Sequence, residues 1–451
     1  MPLGESSGAG QFEKIASGHF GVEIREARRY SCGGHSARLC VHSLMEVKQV
    51  KLAITGASGA IGLPLARAFL AKGAQLLLVG RDPNRLRELF SGAESCSYEE
   101  MAQRLEGYDG LLHLAVLNNN VEATREDYVK ANVDLTNAAL LAAQQAGVDR
   151  FVYVSTTQAL ESRNFSNYAS SKRIASEHVA AAENIEVHIL YLSAVIGEKL
   201  TGRMAILNSA PAPLRKHFLD LYAAITPVTD IDTVIDTCWE ALIGNNIPKE
   251  QIVARNQSNN TAFEAAKRSI DLAASLVILI PFFWVLVIIW VAIRLQSPGP
   301  GIFAQPRVGK NGQIFTCYKF RTMSKDSPNV GTHEASGSLV TPLGRILRRT
   351  KLDELPQALN ILLNQMSLVG PRPCLPNQAA VIAERQKLGV FDIKPGITGL
   401  AQIKQIDMSQ PERLAQMDSR YAKLRSLRLD LSIMLQTALG HGNGDAMDGK
   451  S

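Results

Sequence analysis

The chain has 451 residues, enough for two or three domains of ordinary size. Apolar residues make up 46% and charged residues 20%, with 34 glycines and 19 prolines, which excludes a disordered or collagen-like chain. Its six cysteines (Cys32, Cys40, Cys96, Cys238, Cys317 and Cys374) lie far apart with no CxxC pair. That spacing argues against a disulfide framework or a structural zinc site and suits a reducing compartment. The formal charge of +6 is unevenly placed: residues 261–440 hold 22 Lys+Arg against 12 Asp+Glu, a net of +10, which leaves −4 for the remainder. Such a basic half meets phosphates or an anionic membrane surface.

Residues 1–44 are rich in Gly, Ser and Arg, without apolar periodicity, and read as a disordered tail rather than a signal peptide. From Val50 short apolar strands alternate with helical stretches. VKLAITG (50–56), QLLLVG (75–80), GLLHLA (110–115) and FVYVS (151–155) read as strands, and 61–73 and 128–146 as helices. This alternation predicts a doubly wound parallel sheet over 45–260. QSNN (257–260) reads as a polar linker. Residues 272–293 then run for 22 positions without a charge, long enough to cross a bilayer. Pro281 near the middle removes a helix hydrogen bond, and cations flank both ends, so neither orientation is preferred. The stretch 297–440 is basic and rich in Pro-Gly turns, and 441–451 reads as a second tail. RYAKLRSLRLDLSIMLQTAL (420–439) suits a helix in the headgroup layer or a core-facing helix about equally.

Two constellations carry chemistry. Gly56-Ala57-Ser58-Gly59-Ala60-Ile61-Gly62 follows a strand and opens a helix, the setting of a dinucleotide phosphate turn. Gly56 permits the tight turn, Gly59 lets backbone approach a pyrophosphate, and Gly62 allows close helix packing. Arg81 after the second strand suits the 2′-phosphate of NADP, while Asp82 keeps NAD open. Tyr168 and Lys172 are four apart on a predicted helix, hence on one face. An ammonium beside a phenol would lower its pKa toward usefulness. A YxxxK pair alone is more often a surface pair; the glycine turn and Thr156 upstream reverse that balance.

In the basic half, Arg345, Arg348, Arg349 and Lys351 surround Asp353-Glu354, and Arg372 follows in a Pro-rich turn. An acidic pair on a helix is ordinarily a solvated face. Here the cations stabilise ionised carboxylates, and a carboxylate beside Mg²⁺ can attack phosphorus to give an acyl phosphate. YKFRTM (318–323) reads as a strand with Lys319 and Arg321 on one face, a pairing that suits a diphosphate.

The stretch 50–200 resembles the extended short-chain dehydrogenase/reductase superfamily through TGASGAIG (55–62), HLA (113–115), Asn132, YVSTT (153–157) and YASSK (168–172). The resemblance implies that Tyr168 is the general acid/base, that Lys172 tunes it and binds the ribose, and that Thr156 orients the substrate. It implies NADP(H) or NAD(H) on Gly56, Ser58, Gly59, Ala60, Ile61, Gly62, Arg81 and Asp82. Only about 210 residues (50–260) are present, so the substrate lobe looks pared down. A 4-keto reductase of a nucleotide sugar leads; an epimerase/dehydratase or a non-catalytic nucleotide-binding module stays open.

The stretch 264–440 resembles the monotopic phosphoglycosyl transferases, or bacterial sugar transferases. The matching pieces are KRSIDL (267–272), GPGIFAQPRVGKNGQIFTCYKFRTM (299–323), LGRILRRTKLDELPQALNIL (343–362), MSLVGPRP (366–373) and KPGITGLAQI (394–403). This implies transfer of a phosphosugar from a UDP-sugar to undecaprenyl phosphate, with release of UMP, at the start of glycan synthesis. Asp353 would be the nucleophile of a covalent intermediate, Asp353 and Glu354 would hold Mg²⁺, and Lys319, Arg321, Arg345 and Arg372 would bind phosphates. The expected setting is the bacterial inner membrane, with both catalytic domains facing the cytoplasm. A re-entrant helix over 261–296, bent at Pro281 with Ser275 at hand for freed carbonyls, keeps them on one side. The bilayer is thus a partner, nucleic acid is not, and a homodimer is left open. The fold class expected is α/β: a Rossmann-like doubly wound parallel sheet, then a membrane-associated α+β domain with that helix.

Overall fold

The central strands of the first half, such as LAIT and LLLV, are short and mostly apolar, as strands covered on both faces must be. The computed structural model describes residues 49–119, 121–161, 164–197, 200, 202–324 and 339–440; both expected tails lie outside them. In chain order the first half comprises β1 (Lys51–Thr55), α1 (Gly62–Ala71), β2 (Gln75–Val79), α2 (Pro83–Leu89), β3 (Glu94–Cys96), α3 (Met101–Arg104) and β4 (Gly110–His113). It continues with α4 (Arg125–Val129), a π turn (Lys130–Asp134), α5 (Leu135–Gln145), β5 (Arg150–Thr156), α6 (Asn167–Ala180), β6 (Glu186–Leu192), β7 (Ala194–Ile196), α7 (Ala212–Ile225), β8 (Val228–Asp230), α8 (Ile231–Ile243) and β9 (Glu250–Val253). Seven strands form one parallel sheet in the order β3-β2-β1-β4-β5-β6-β9. The order reverses between β1 and β4, and ligands of such sheets bind at that switch point.

The four expected strands are β1, β2, β4 and β5. The helix expected over 128–146 is present, running through α4 and α5 with the π turn continuous between them. β3 escapes a hydrophobicity reading because it is three residues long, and β6 because His188 and Glu186 interrupt its pattern. Local caps set the helix starts. Asp82 caps α2 by accepting from Arg85 N, and Thr124 and Asp127 form a reciprocal capping box on α4.

The second half contains α9 (Thr261–Leu279), α10 (Phe283–Gln296), β10 (Ile302–Val308), β11 (Ile314–Phe320), α11 (Pro342–Thr350), α12 (Gln357–Leu362) and β12 (Ser367–Val369). It ends with α13 (Ala379–Lys387), β13 (Gly396–Thr398), α14 (Leu400–Ile403), α15 (Pro411–Leu424) and α16 (Leu427–Ala438). β10 and β11 pair antiparallel, and β12 and β13 pair in parallel. The β11 strand stops at Phe320, so the expected strand over 318–323 is cut short.

Among the described residues no single helix is long and apolar enough to cross a membrane, but α9 and α10 together are, bent by 58° around Pro281. Phe282, Phe283, Trp284, Val287 and Ile288 on this hairpin are about half exposed. Ser275 does not serve the bend: its hydroxyl donates to the Asp271 carbonyl at 2.9 Å. The base of α9 is fastened to the basic half. Lys267 donates to Asp430 Oδ2 at 2.6 Å and to the Val369 carbonyl at 3.1 Å, and Tyr421 Oη donates to the same carbonyl at 3.0 Å. Asp271 Oδ1 accepts from Leu368 N and Ser367 Oγ, and Arg268 donates to the Ile361 and Leu362 carbonyls.

The segment expected as a polar linker is packed into the fold. Gln257 and Asn260 are 2% and 4% exposed; Asn260 caps α9 and donates to the Asp220 carbonyl of α7 at 2.9 Å. Buried amides need partners, and α7 supplies them. Accordingly the described residues from Lys51 onward form one compact unit. Cys96, Cys238, Cys317 and Cys374 are buried free thiols; Cys32 and Cys40 lie outside the described residues.

Two candidate active sites

The first site opens at the switch point. Gly56 turns the chain with φ +75°, and a Cβ there would meet Ala115 N at 2.8 Å. At Gly62 a Cβ would lie 2.2 Å from the Gly56 carbonyl oxygen, so α1 starts hard against the turn. Ser58, Gly59 and Ala60 are exposed and Ile61 is half-buried beside them. Thr55 Oγ1 accepts from Leu114 N and Ala115 N, tying this turn to the end of β4. His113, fully buried between Thr55 and Thr136 and stacked on Phe151 and Tyr153, is pulled down to about 3 by burial and then by the Lys172 charge. It is a neutral structural histidine.

Arg81 and Asp82 are both exposed just past β2, but the Asp82 carboxylate accepts from Arg85 N at 3.0 Å as a helix cap. Asn132 in the π turn holds Leu117 through both its amide atoms and donates to Ser171 Oγ at 3.0 Å. It thereby ties the loop after β4 to α6, the helix of Tyr168 and Lys172. Lys172 is 3% exposed, donates to the Val154 carbonyl at 2.7 Å and lies 4.2 Å over the Tyr153 ring. Burial pulls its ammonium down to about 7. The Tyr168 phenol moves the other way: burial raises it, opposed by its hydrogen bond to Thr156. The Lys172 ammonium is turned to the backbone of β5, where it donates to the Val154 carbonyl. α6 brings Tyr168 and Thr156 together and leaves Lys172 beneath them.

The second site is built where α11 meets β11. Gly344 lets α11 touch this strand's end, since a Cβ would lie 2.0 Å from the Thr322 carbonyl oxygen. Lys351 then adopts a left-handed conformation with φ 57°, and Leu352–Glu354 form a 3₁₀ turn. The acidic pair thus sits in this short 3₁₀ turn between α11 and α12 rather than along an α-helix. Asn360, wholly buried on α12, accepts from Tyr318 N at 3.1 Å and donates to the Thr316 carbonyl at 2.7 Å, fixing α12 to β11. Its single-letter context gave no signal of that role.

Around the pair, Lys319 Nζ and Arg372 Nη1 donate to Glu354 Oε1 at 2.9 and 3.2 Å. Burial opposes ionisation of Glu354, but the Lys319 and Arg372 charges outweigh it and hold the carboxyl well below its usual range. Asp353 is raised, first by burial and then by the Glu354 charge, with Lys319, Arg372 and Arg348 opposing. Two neighbouring carboxyls are thus driven apart in acidity, a mark of reactive sites. Arg348 donates to Thr322 Oγ1, and Arg345 is exposed on α11. Arg321 departs from expectation. Its guanidinium donates to the Pro298 and Ser297 carbonyls at 2.6 and 2.8 Å, closing the end of α10 instead of sharing a face with Lys319. The strand ends at Phe320, so alternation no longer governs where Arg321 points.

Mg²⁺ is ordinarily held by one or two carboxylates together with substrate phosphates. Asp353 and Glu354 supply such a pair, although no cluster of three or more ligating side chains occurs among the described residues.

Fold and sites together define a two-centre protein: a doubly wound α/β body with a glycine turn at its switch point, joined to a body with a carboxyl pair under two cations and a bent apolar hairpin. A family model described as bacterial sugar transferase matches residues 262–442, and one described as NAD dependent epimerase/dehydratase family matches residues 52–212. The UDP-glucose:undecaprenyl-phosphate glucose-1-phosphate transferase of Caulobacter vibrioides is 36% identical over 187 residues, covering 39% of this chain and 69% of that protein. The exopolysaccharide production protein ExoY of Rhizobium meliloti is 35% identical over 192 residues, covering 38% of this chain and 83% of its own. Among solved structures, the Bordetella bronchiseptica enzyme WbmG in complex with NAD and UDP is 16% identical, covers 47% of this chain and 74% of that one, and has a TM-score of 0.38. The chain belongs to the bacterial sugar transferase family, with an NAD dependent epimerase/dehydratase family domain at its N-terminal side.

Proposed function

We propose that the basic half transfers a phosphosugar from a UDP-sugar to undecaprenyl phosphate through an acyl-phosphate on Asp353. The observation that carries this reading is the carboxyl pair itself, with Glu354 held ionised by Lys319 and Arg372 and Asp353 set beside it. The ionised Asp353 oxygen attacks the sugar-bearing phosphorus, the bond to the UMP phosphate oxygen breaks, and UMP leaves. A phosphate oxygen of the lipid then attacks the same phosphorus and regenerates the carboxylate. Arg372 and Lys319 neutralise the transferring phosphoryl oxygens as charge shifts. Bound at Asp353 and Glu354, Mg²⁺ would supply Lewis-acid polarisation of the diphosphate. The bent apolar hairpin supports reading this body as seated on the cytoplasmic face of the inner membrane.

The N-terminal domain is read as an NADP(H)-dependent reductase of a 4-keto nucleotide sugar, with Tyr168 as proton donor and Thr156 orienting the keto oxygen. Exposed Arg81 beside an Asp82 engaged in capping favours NADP(H). The matched family's description favours a second reading, an epimerase or dehydratase that recycles its cofactor. Fusion of the two bodies raises the effective concentration of one site's product at the other.

The test is UMP release by membrane fractions given undecaprenyl phosphate, Mg²⁺ and a panel of UDP-sugars, each with and without NADPH. Asp353→Asn is expected to abolish release, and Tyr168→Phe to leave transfer of a completed UDP-sugar intact. Full release by Asp353→Asn would remove the nucleophile assignment. Sugar conversion without net NADPH consumption would favour the epimerase or dehydratase.

A further inference from the structure

Arg372 reaches the carboxyl pair from the segment after β12, and two arginines of other elements hold that segment by its main chain. Arg385 of α13, 1% exposed, donates Nη1 to the Arg372 carbonyl at 2.8 Å. Its Nε and Nη2 grip Asp418 Oδ2 of α15 at 3.0 and 2.7 Å. Arg307 of β10, 8% exposed, donates Nη1 to the Pro373 carbonyl at 2.9 Å and Nη2 to Gln305 Oε1 at 2.6 Å. Consecutive carbonyls are therefore each fixed by one arm of a guanidinium whose other arm is anchored elsewhere. A rigid planar fork transmits position in a way a lysine does not.

Stability alone does not account for Arg307. Its Nε is buried without a hydrogen-bond partner, and it lies close enough to Arg372 for the like charges to oppose one another. Apolar residues of similar volume commonly stabilise a protein more than a buried ionic group does. What the arginine provides is a fixed distance from β10 to the Pro373 carbonyl.

We propose that Arg307 and Arg385 are positioning residues for phosphate binding, setting where the Arg372 guanidinium stands over the carboxyl pair by holding the Arg372 and Pro373 carbonyls. The inference rests on the reading of Arg372 as a phosphate ligand. A purely structural arginine weakens the protein whatever residue 372 is. A positioning one loses its effect on the substrate once the Arg372 side chain is gone.

The experiment uses the full chain in detergent, with UMP release giving KM and kcat and equilibrium dialysis giving UMP affinity. Arg307→Lys keeps the charge but lacks the two-armed fork. It is expected to raise KM for the UDP-sugar about tenfold, the loss of about 1.4 kcal/mol of binding, with kcat within about threefold. UMP affinity falls in parallel. In an Arg372→Ala background the same change is expected to move UMP affinity less than about twofold. Lys387→Ala, on the exposed side of α13, leaves both quantities unchanged. Arg385→Lys repeats the test from the other arm, and Arg307→Lys alone decides it where Arg385→Lys does not fold. An equal effect of Arg307→Lys in both backgrounds, or unaltered KM and UMP affinity, overturns the proposal. A wild-type chain that neither releases nor binds UMP overturns the reading of the site, and the positioning role with it.

Discussion

Asp353 and Lys172 are each held in an environment that disfavours their charged form, and each leaves a signature in the dependence of stability on pH. The folded-state pKa of Asp353 is raised, so the folded chain binds more protons than the unfolded one between the ordinary aspartate value and that of the site. Its contribution to stability falls as pH rises through about 4 to 6. Asp353→Asn is expected to raise the melting temperature of the metal-free protein by a few degrees at pH 8 and to leave it unchanged at pH 4. Scanning calorimetry at the two pH values checks this. Lys172 has the opposite sign. Its folded pKa lies near 7, below the free lysine value, so the unfolded chain binds more protons and stability rises from pH 7 toward 10. Lys172→Met is expected to flatten that rise and to stabilise the cofactor-free chain most below pH 7. A melting curve for Lys172→Met that keeps the wild-type slope would refute the assignment.

At the scale of elements, the second site depends on how closely α11 lies against the end of β11. Gly344→Ala drives a methyl into the backbone carbonyl oxygen of Thr322, which cannot swing aside as a side chain could, so the helix must shift. The expected result is about 2 kcal/mol or more of lost stability and a large loss of UMP release, read by denaturant unfolding and by the transfer assay. The hairpin gives a second element-level expectation. If α9 and α10 return to the same face, cysteines placed at Glu264 and Gln296 both react with an impermeant maleimide in inverted vesicles, and neither reacts in intact cells. Much of this was legible in the sequence. Runs such as QLLLV announce buried strands by composition, and the glycine turn and the YASSK helix announce themselves by spacing, whereas the 3₁₀ turn that carries Asp353 and Glu354 does not. What escaped had a physical reason in each case. Arg321 lost its predicted face because its strand ended one residue earlier. Ser275 found the Asp271 carbonyl within its own helix before it could serve the bend. Asn360, Arg307 and Arg385 act on main-chain atoms, and such partners leave no pattern of complementary side chains to read.

For the molecule as a whole, the decisive feature is that residues 255–264 belong to both bodies. Arg255 pairs with Asp220 and Asp230 of the first, while Arg425 of α15 reaches Glu264 and Ser258 and lies over the Phe263 ring. With the junction buried instead of flexible, residues 51–440 are expected to melt in one cooperative calorimetric transition. Two well-separated transitions would mean that the junction is weaker than its hydrogen bonds suggest.

The Val369 carbonyl accepts from Lys267 at the base of the hairpin and from Tyr421, three residues ahead of Arg372. Helix base and the loop of Arg372 thus hang from one short strand, like a pan and a pointer on the same beam. On the proposed reading of the hairpin as membrane-seated, tilting it in a thinner or thicker bilayer is expected to turn the beam. Substrate affinity is then expected to follow acyl-chain length in vesicles of graded thickness, and an affinity that stays constant would refute the coupling.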